Sequence, residues 1–145
     1  MELYDLIMSG RQLKKLTEKE MKPLIEQSGL RFVEVDMLLF LSEQKNIDTA
    51  KEIMKERRLS KAHVSKSLDN LKNKGYIKVC EDAKDHRVFH ISLEKKADEL
   101  VESAERIYKH CRGIIQAGIS KEEMDVVKHV FYKMMENIDQ ELKKQ

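Results

Sequence analysis

Tryptophan is missing from this chain, proline occurs once and cysteine only twice. Each scarcity excludes something. Two cysteines in 145 residues, Cys80 and Cys111, cannot make the dense cross-links of a small secreted scaffold. They form no CxxC pair and have no histidine at zinc-finger spacing, so one reads as a strand residue and the other as a helix-packing residue. Oxidant sensing by either is the alternative. The longest apolar run, Met37–Leu41, is far too short to span a bilayer. Met1–Asp5 has neither the basic nor the apolar region of a signal peptide, so a cytoplasmic protein with no membrane association is expected. Glycine-rich phosphate loops, Ser/His/Asp arrangements and paired carboxylates are lacking too, which argues against an enzyme and implies no cofactor or metal.

What is present is charge and helix-forming residues. Charged residues make up 37% of the chain and apolar residues 41%, the balance of a folded, helix-rich protein. The net charge of +2 is uninformative, but its distribution is not. Lys55–Lys78 alone carries +6, leaving −4 for the rest.

Apolar spacing divides the chain into elements. Leu3, Leu6, Ile7, Leu13 and Leu16 mark a first helix over about 2–22, with Pro23 and Gly29 expected to break it. Residues 31–43 are apolar nearly all round, as in a buried core helix. Asp48-Thr49 opens a short helix to about Arg58, and Ser60 caps another that ends near Gly75. Ile77 and Val79, then Phe89, Ile91 and Leu93, alternate with other residues on both sides of a polar link, the pattern of a β-hairpin. A long helix to about Ile115 follows, and Ser120–Glu123 forms a capping box for the last one.

Two short helices followed at once by a hairpin match a winged helix-turn-helix. In helix 60–74, Val64, Leu68 and Leu71 share the side that faces the core. The other side carries Ala62, Ser65, Lys66, Asp69, Asn70 and Asn73, with His63 at its edge, side chains small and polar enough to read base edges in a major groove. Lys61, Lys72 and Lys74 flank it, suited to phosphates. At the hairpin tip, Arg87 suits the negative potential of a minor groove, with Lys84 and His86 nearby. Asp85 has the wrong charge for DNA and suits a role in orienting Arg87. The candidate DNA-contacting residues are therefore Ser60, Lys61, Ala62, His63, Ser65, Lys66, Asn70, Lys84, His86 and Arg87.

Residues 60–77 (SKAHVSKSLDNLKNKGYI), the Asp85-His86-Arg87 wing and Ser92-Leu93 resemble the MarR family of bacterial transcription regulators. The pattern shared is a recognition helix ending in Leu-x-x-Lys-Gly-Tyr-Ile, then a wing bearing Asp-x-Arg. The resemblance extends over the whole chain, 1–145, and departs from the family at three places. Glu94 stands where a capping threonine is usual, so that Ser92 becomes a substitute cap. Ala97 replaces a glycine, and Arg57-Arg58 replace an apolar and a small turn residue. It implies a mainly α fold with a small β-hairpin: a winged helix-turn-helix at 30–93, flanked by dimerisation helices at 1–25 and 94–145. It further implies a homodimer on a pseudo-palindromic operator in double-stranded DNA, in the leading form a repressor released by a small aromatic or anionic effector. Arg11, Arg31, Tyr108 and Arg112 are the candidates to meet an anion, and His110 is the one histidine offered to a zinc-sensing reading. The competing function is a winged-helix module that binds protein or nucleic acid without sequence preference.

Overall fold

The computed structural model describes residues 1–144 and contains six helices and one two-stranded antiparallel sheet among them. These are α1 (Leu3–Ser28), α2 (Phe32–Glu43), α3 (Ala50–Arg57), α4 (Lys61–Asn73), β1 (Ile77–Glu81), β2 (Phe89–Leu93), α5 (Ala97–Ile115) and α6 (Lys121–Leu142). The chain forms two compact units, residues 1–109 and 110–145. None of the helices described is long and apolar enough to cross a membrane.

The first unit is built round α2. Val35, Met37, Leu38, Leu39 and Leu41 are all buried, because this helix is surrounded by α1, α4 and β2 and has no solvent face to make polar. Met21 and Leu30, Ile53, Val64 and Leu71, Tyr76, Ile77 and Ile91, then Ala97, Leu100, Val101 and Ala104 complete the core.

Two expectations fail at helix boundaries. Pro23 does not break α1, which continues to Ser28 and ends on Gly29 (φ +69°), whose N–H donates to the Ile25 carbonyl. Proline removes one backbone donor, a loss an exposed segment tolerates. Ser92 is not a helix cap. It pairs with Lys78 inside the hairpin, and α5 begins only at Ala97, which is fully buried. The expected caps at Thr49, Ser60 and Ser120 do accept the N–H groups of Glu52, His63 and Glu123. Arg58 ends α3 in the left-handed region (φ 52°), a conformation less costly for the small turn residue it replaces.

Glu34 is completely buried. Burial alone would raise its carboxyl, but the Arg31 backbone N–H, the Arg31 guanidinium and the Asn70 amide hold it below its ordinary value. Arg31 donates from Nη2 (2.7 Å) and Nε (2.9 Å), and Asn70 Nδ2 donates at 2.8 Å. Arg31 Nη2 also reaches Ser67 Oγ at 3.2 Å. One carboxylate in α2 thus ties α4 to the core.

Replacing Arg31 with alanine would leave that carboxylate buried without its counter-ion. The expected loss is about 2 kcal/mol of unfolding free energy, below the range for a fully enclosed pair because the Arg31 side chain is itself 42% exposed. Urea denaturation measures it, and an unchanged midpoint would show that Asn70 and the backbone N–H at position 31 suffice.

Candidate nucleic-acid interface

The second helix of the motif, α4, is anchored along its rear by Val64, Ser67 and Leu71, all buried, and by half-buried Leu68. This leaves Ser60, Lys61, Ala62, His63, Ser65, Lys66 and Asp69 exposed. Ser60 Oγ accepts the His63 N–H and lies 3.0 Å from His63 Nδ1, so one hydroxyl orders both the first turn and the imidazole.

Two residues expected to face DNA, Asn70 on the outer face and Lys74 flanking it, are engaged elsewhere. Asn70 is half-buried and spends its amide on Glu34. Lys74 donates from Nζ to the Gly29 carbonyl (2.6 Å), a cation at the end of α1 where the helix dipole favours one. The buried side of α4 is therefore wider than its apolar residues indicate, and Ser67, a small polar residue, had no apolar signature to mark it. Lys96 repeats the device at the end of α4, donating to the Lys74 carbonyl (2.6 Å) with its ammonium 4.5 Å from the centre of the Tyr76 ring.

The preceding turn is held similarly. Arg57 pairs with Asp36 of α2 and lies over the Phe40 ring at 5.2 Å, while the Tyr108 hydroxyl donates to the other Asp36 oxygen at 3.0 Å. Of the candidates for meeting an anionic effector, Arg31 and Tyr108 are thus engaged with buried or half-buried carboxylates of α2, and Arg11 and Arg112 are exposed.

β1 and β2 pair in the register Ile77↔Leu93 to Glu81↔Phe89, which turns Ile77 and Ile91 inward. Asp82 organises the tip. Its N–H donates to the Val88 carbonyl, and its Oδ2 accepts the N–H groups of Lys84 and Asp85, each at 2.9 Å. Its Oδ1 lies 2.8 Å from His90 Nε2. The His90 contact first, then the Asp85 and Lys84 amides, lower the Asp82 carboxyl to about 2. Asp85 holds Arg87 through Nε and the backbone N–H, both at 3.1 Å, and the Arg87 side chain extends into solvent, 91% exposed. That contact, with the Arg87 amide, lowers the Asp85 carboxyl. His86 pairs with Glu81, and Lys84 is exposed.

A cleft of about 550 Å³ separates α3 and α4 from the wing. Met54, Val64, Leu68, Val79 and Ile91 contribute its apolar lining, and Lys51, Lys61, Lys72 and Arg87 its cations, against Asp69. It unites Lys61, Ser65 and Arg87 on one concave surface. Lys51 and half-exposed Phe89 also line it, and neither was picked out in the sequence. Lys51 lies outside the basic run, and Phe89 has the alternation of an ordinary strand residue. Among the described residues no cluster of histidine, cysteine and carboxylate has metal-binding geometry, and Cys80 is exposed while Cys111 is buried.

Residues 28–88 match the sequence profile described as MarR family. The HTH-type transcriptional regulator BilQ of Clostridioides difficile is 24% identical over 120 residues, 83% of this chain and 78% of that protein. Among solved structures, the Staphylococcus aureus MepR–DNA complex is 25% identical with a TM-score of 0.81, over 94% of this chain and 98% of that one. A MarR-family transcriptional regulator from Listeria monocytogenes, complexed with a 26mer DNA, shares the fold at TM-score 0.83 and 18% identity, over 97% and 91% of the two chains. The matched segment spans α2, α3, α4 and β1, so the helix-turn-helix and the first strand of the wing lie within the part of the chain that is similar to the MarR family.

Proposed function

We propose that the protein is a cytoplasmic, sequence-specific DNA-binding regulator that works as a homodimer on a pseudo-palindromic operator. The observation that carries this reading is the cleft, with the exposed polar residues of α4 on one side and Arg87 on the other. If α4 enters a major groove, Ser65, Lys66 and His63 meet base edges while Ser60, Lys61 and Lys72 meet phosphates. The strand dividing that groove from the neighbouring minor groove must then cross the cleft, and the wing delivers Arg87 beyond it, with Lys84 and His86 beside it. The DNA complexes of MepR and of the Listeria regulator support the assignment.

Homodimerisation rests on unspent apolar surface. No residue of α6 is buried, although Val127, Val130, Phe131, Ile138 and Leu142 recur along it with helical spacing. In the first unit, Leu3, Tyr4, Ile7 and Leu13 leave α1 with a similar stripe. Surfaces of this extent mark a partner, and a two-fold dimer is the simplest. It would set two recognition helices about one helical turn apart, on the order of 10 bp. Release by a small aromatic or anionic effector, giving a repressor, completes the reading.

The test is binding to duplex DNA from upstream of the chain's own coding sequence, against scrambled duplex at physiological salt. Equal affinity for the two would refute sequence-specific regulation. Arg87→Ala is expected to weaken binding about tenfold at any sequence and to lower the salt dependence. Lys66→Ala is expected to change base preference at a defined operator position, read by selection from a randomised duplex. Light scattering should give twice the chain mass, and Phe131→Glu should give the monomer; a wild-type monomer at micromolar concentration would refute the dimer.

A further inference from the structure

His90 makes an arrangement that DNA contact does not require. It lies in β2 with Nδ1 2.9 Å from Asp48 Oδ2, in the loop between α2 and α3, and Nε2 2.8 Å from Asp82 Oδ1 at the base of the wing turn. The same two segments are joined by the backbone, where the Ile91 N–H donates to the Asp48 carbonyl at 2.7 Å. Ionised carboxylates only accept hydrogen bonds, and neutral imidazole carries a single N–H. Both contacts are therefore satisfied together only by the imidazolium.

The consequences travel along bonded atoms. Asp82 fixes the amides of Lys84 and Asp85, and Asp85 fixes Arg87. A continuous path thus runs from the α2–α3 loop through His90 to the arginine at the tip. The charges facing His90 are Asp48 from the loop, Asp82 from the turn and, at the start of α3, Glu52, which also interacts with it. From β1, Cys80 stands opposite in the strand register.

We propose that protonated His90 is a positioning residue for the wing, latching the turn to the α2–α3 loop so that Arg87 is presented beside α4, and that loss of its proton releases one end of the latch. The proposal rests on the reading of the wing as a DNA-contacting arm. Independently of it, the Asp82 and then the Asp48 contact raise the His90 imidazole above its ordinary 6.5. A proton held more tightly in the folded state contributes order that is complete below the unfolded value and is lost as pH rises through the folded one. Wing order and DNA affinity should both decline in that window.

The test has two arms. In the free protein, ¹⁵N imidazole shifts and amide exchange are followed between roughly pH 6 and 9. His90 should be protonated on both nitrogens at neutral pH, and protection of the Lys84 and Asp85 amides should fall as it titrates. Asp48→Asn should lower its titration point while the Asp82 contact survives. A His90 that titrates at or below the ordinary histidine value, or amide protection indifferent to its titration, overturns the latch.

In the second arm, duplex affinity is measured across the same pH range in a His63→Asn/His86→Asn background, which removes the two other histidines on the DNA-facing surface. Affinity should fall on the order of fivefold through the His90 titration, the worth of about one hydrogen bond. Neither His90→Gln nor Arg87→Ala should show that slope. A slope that persists in His90→Gln, or a titration with no change in affinity, overturns the proposal. Should no duplex bind at any pH, the regulator reading fails and the first arm decides the latch by itself.

Discussion

The buried carboxylate of Glu34 is the constraint on which the helix-turn-helix depends. A charge in an apolar core is costly unless it is paired and hydrogen-bonded, and here the Arg31 guanidinium, the Asn70 amide and the Arg31 backbone N–H do this. Because Asn70 belongs to α4 and Glu34 to α2, satisfying that charge defines where α4 sits and how it is rotated. Val64 and Leu71 supply apolar burial on the same side, but burial is non-directional and would tolerate a small rotation. The hydrogen bonds would not. The residues left on the outside, Ser60 to His63, Ser65, Lys66 and Asp69, follow from this arrangement.

A second set of polar contacts treats the wing likewise. A two-stranded hairpin is at best marginally stable alone, so its tip must be braced by something other than its own ladder. Ile77 and Ile91 root its base in the core, while Asp82, His90 and Asp48 tie its turn to the loop before α3. In both places acidic residues work behind the basic surface. This is consistent with a near-neutral net charge: the acid that balances part of the basic run is spent inside on holding cations and donors in position.

Much of this was legible from residue order. The all-round apolar stretch of α2, the period-two alternation of the hairpin and the caps at Thr49, Ser60 and Ser120 are local patterns with local causes, and they appear in the fold as read. The misreadings share a different character. Pro23 and Ser92 were read by residue type, as a breaker and a cap, yet an exposed helix absorbs one missing donor and a strand ladder can claim a serine. Asn70 was placed on the outer face of α4 and Lys74 beside it because they are polar. Their actual partners, Glu34 and Gly29, are 36 and 45 residues away, and no spacing rule reaches that far.

By itself, then, the sequence determined the class of fold, the order of its elements, the winged helix-turn-helix and the basic stretch within it, since each arises from neighbours a few residues apart. Only the tertiary structure decided which polar side chains of α4 remain outside, that Lys61, Ser65 and Arg87 line one cleft, and that His90 stands between two carboxylates. The physical reason is the same in each case. A polar side chain takes its role from the partner that satisfies it, and that partner is brought near only by folding.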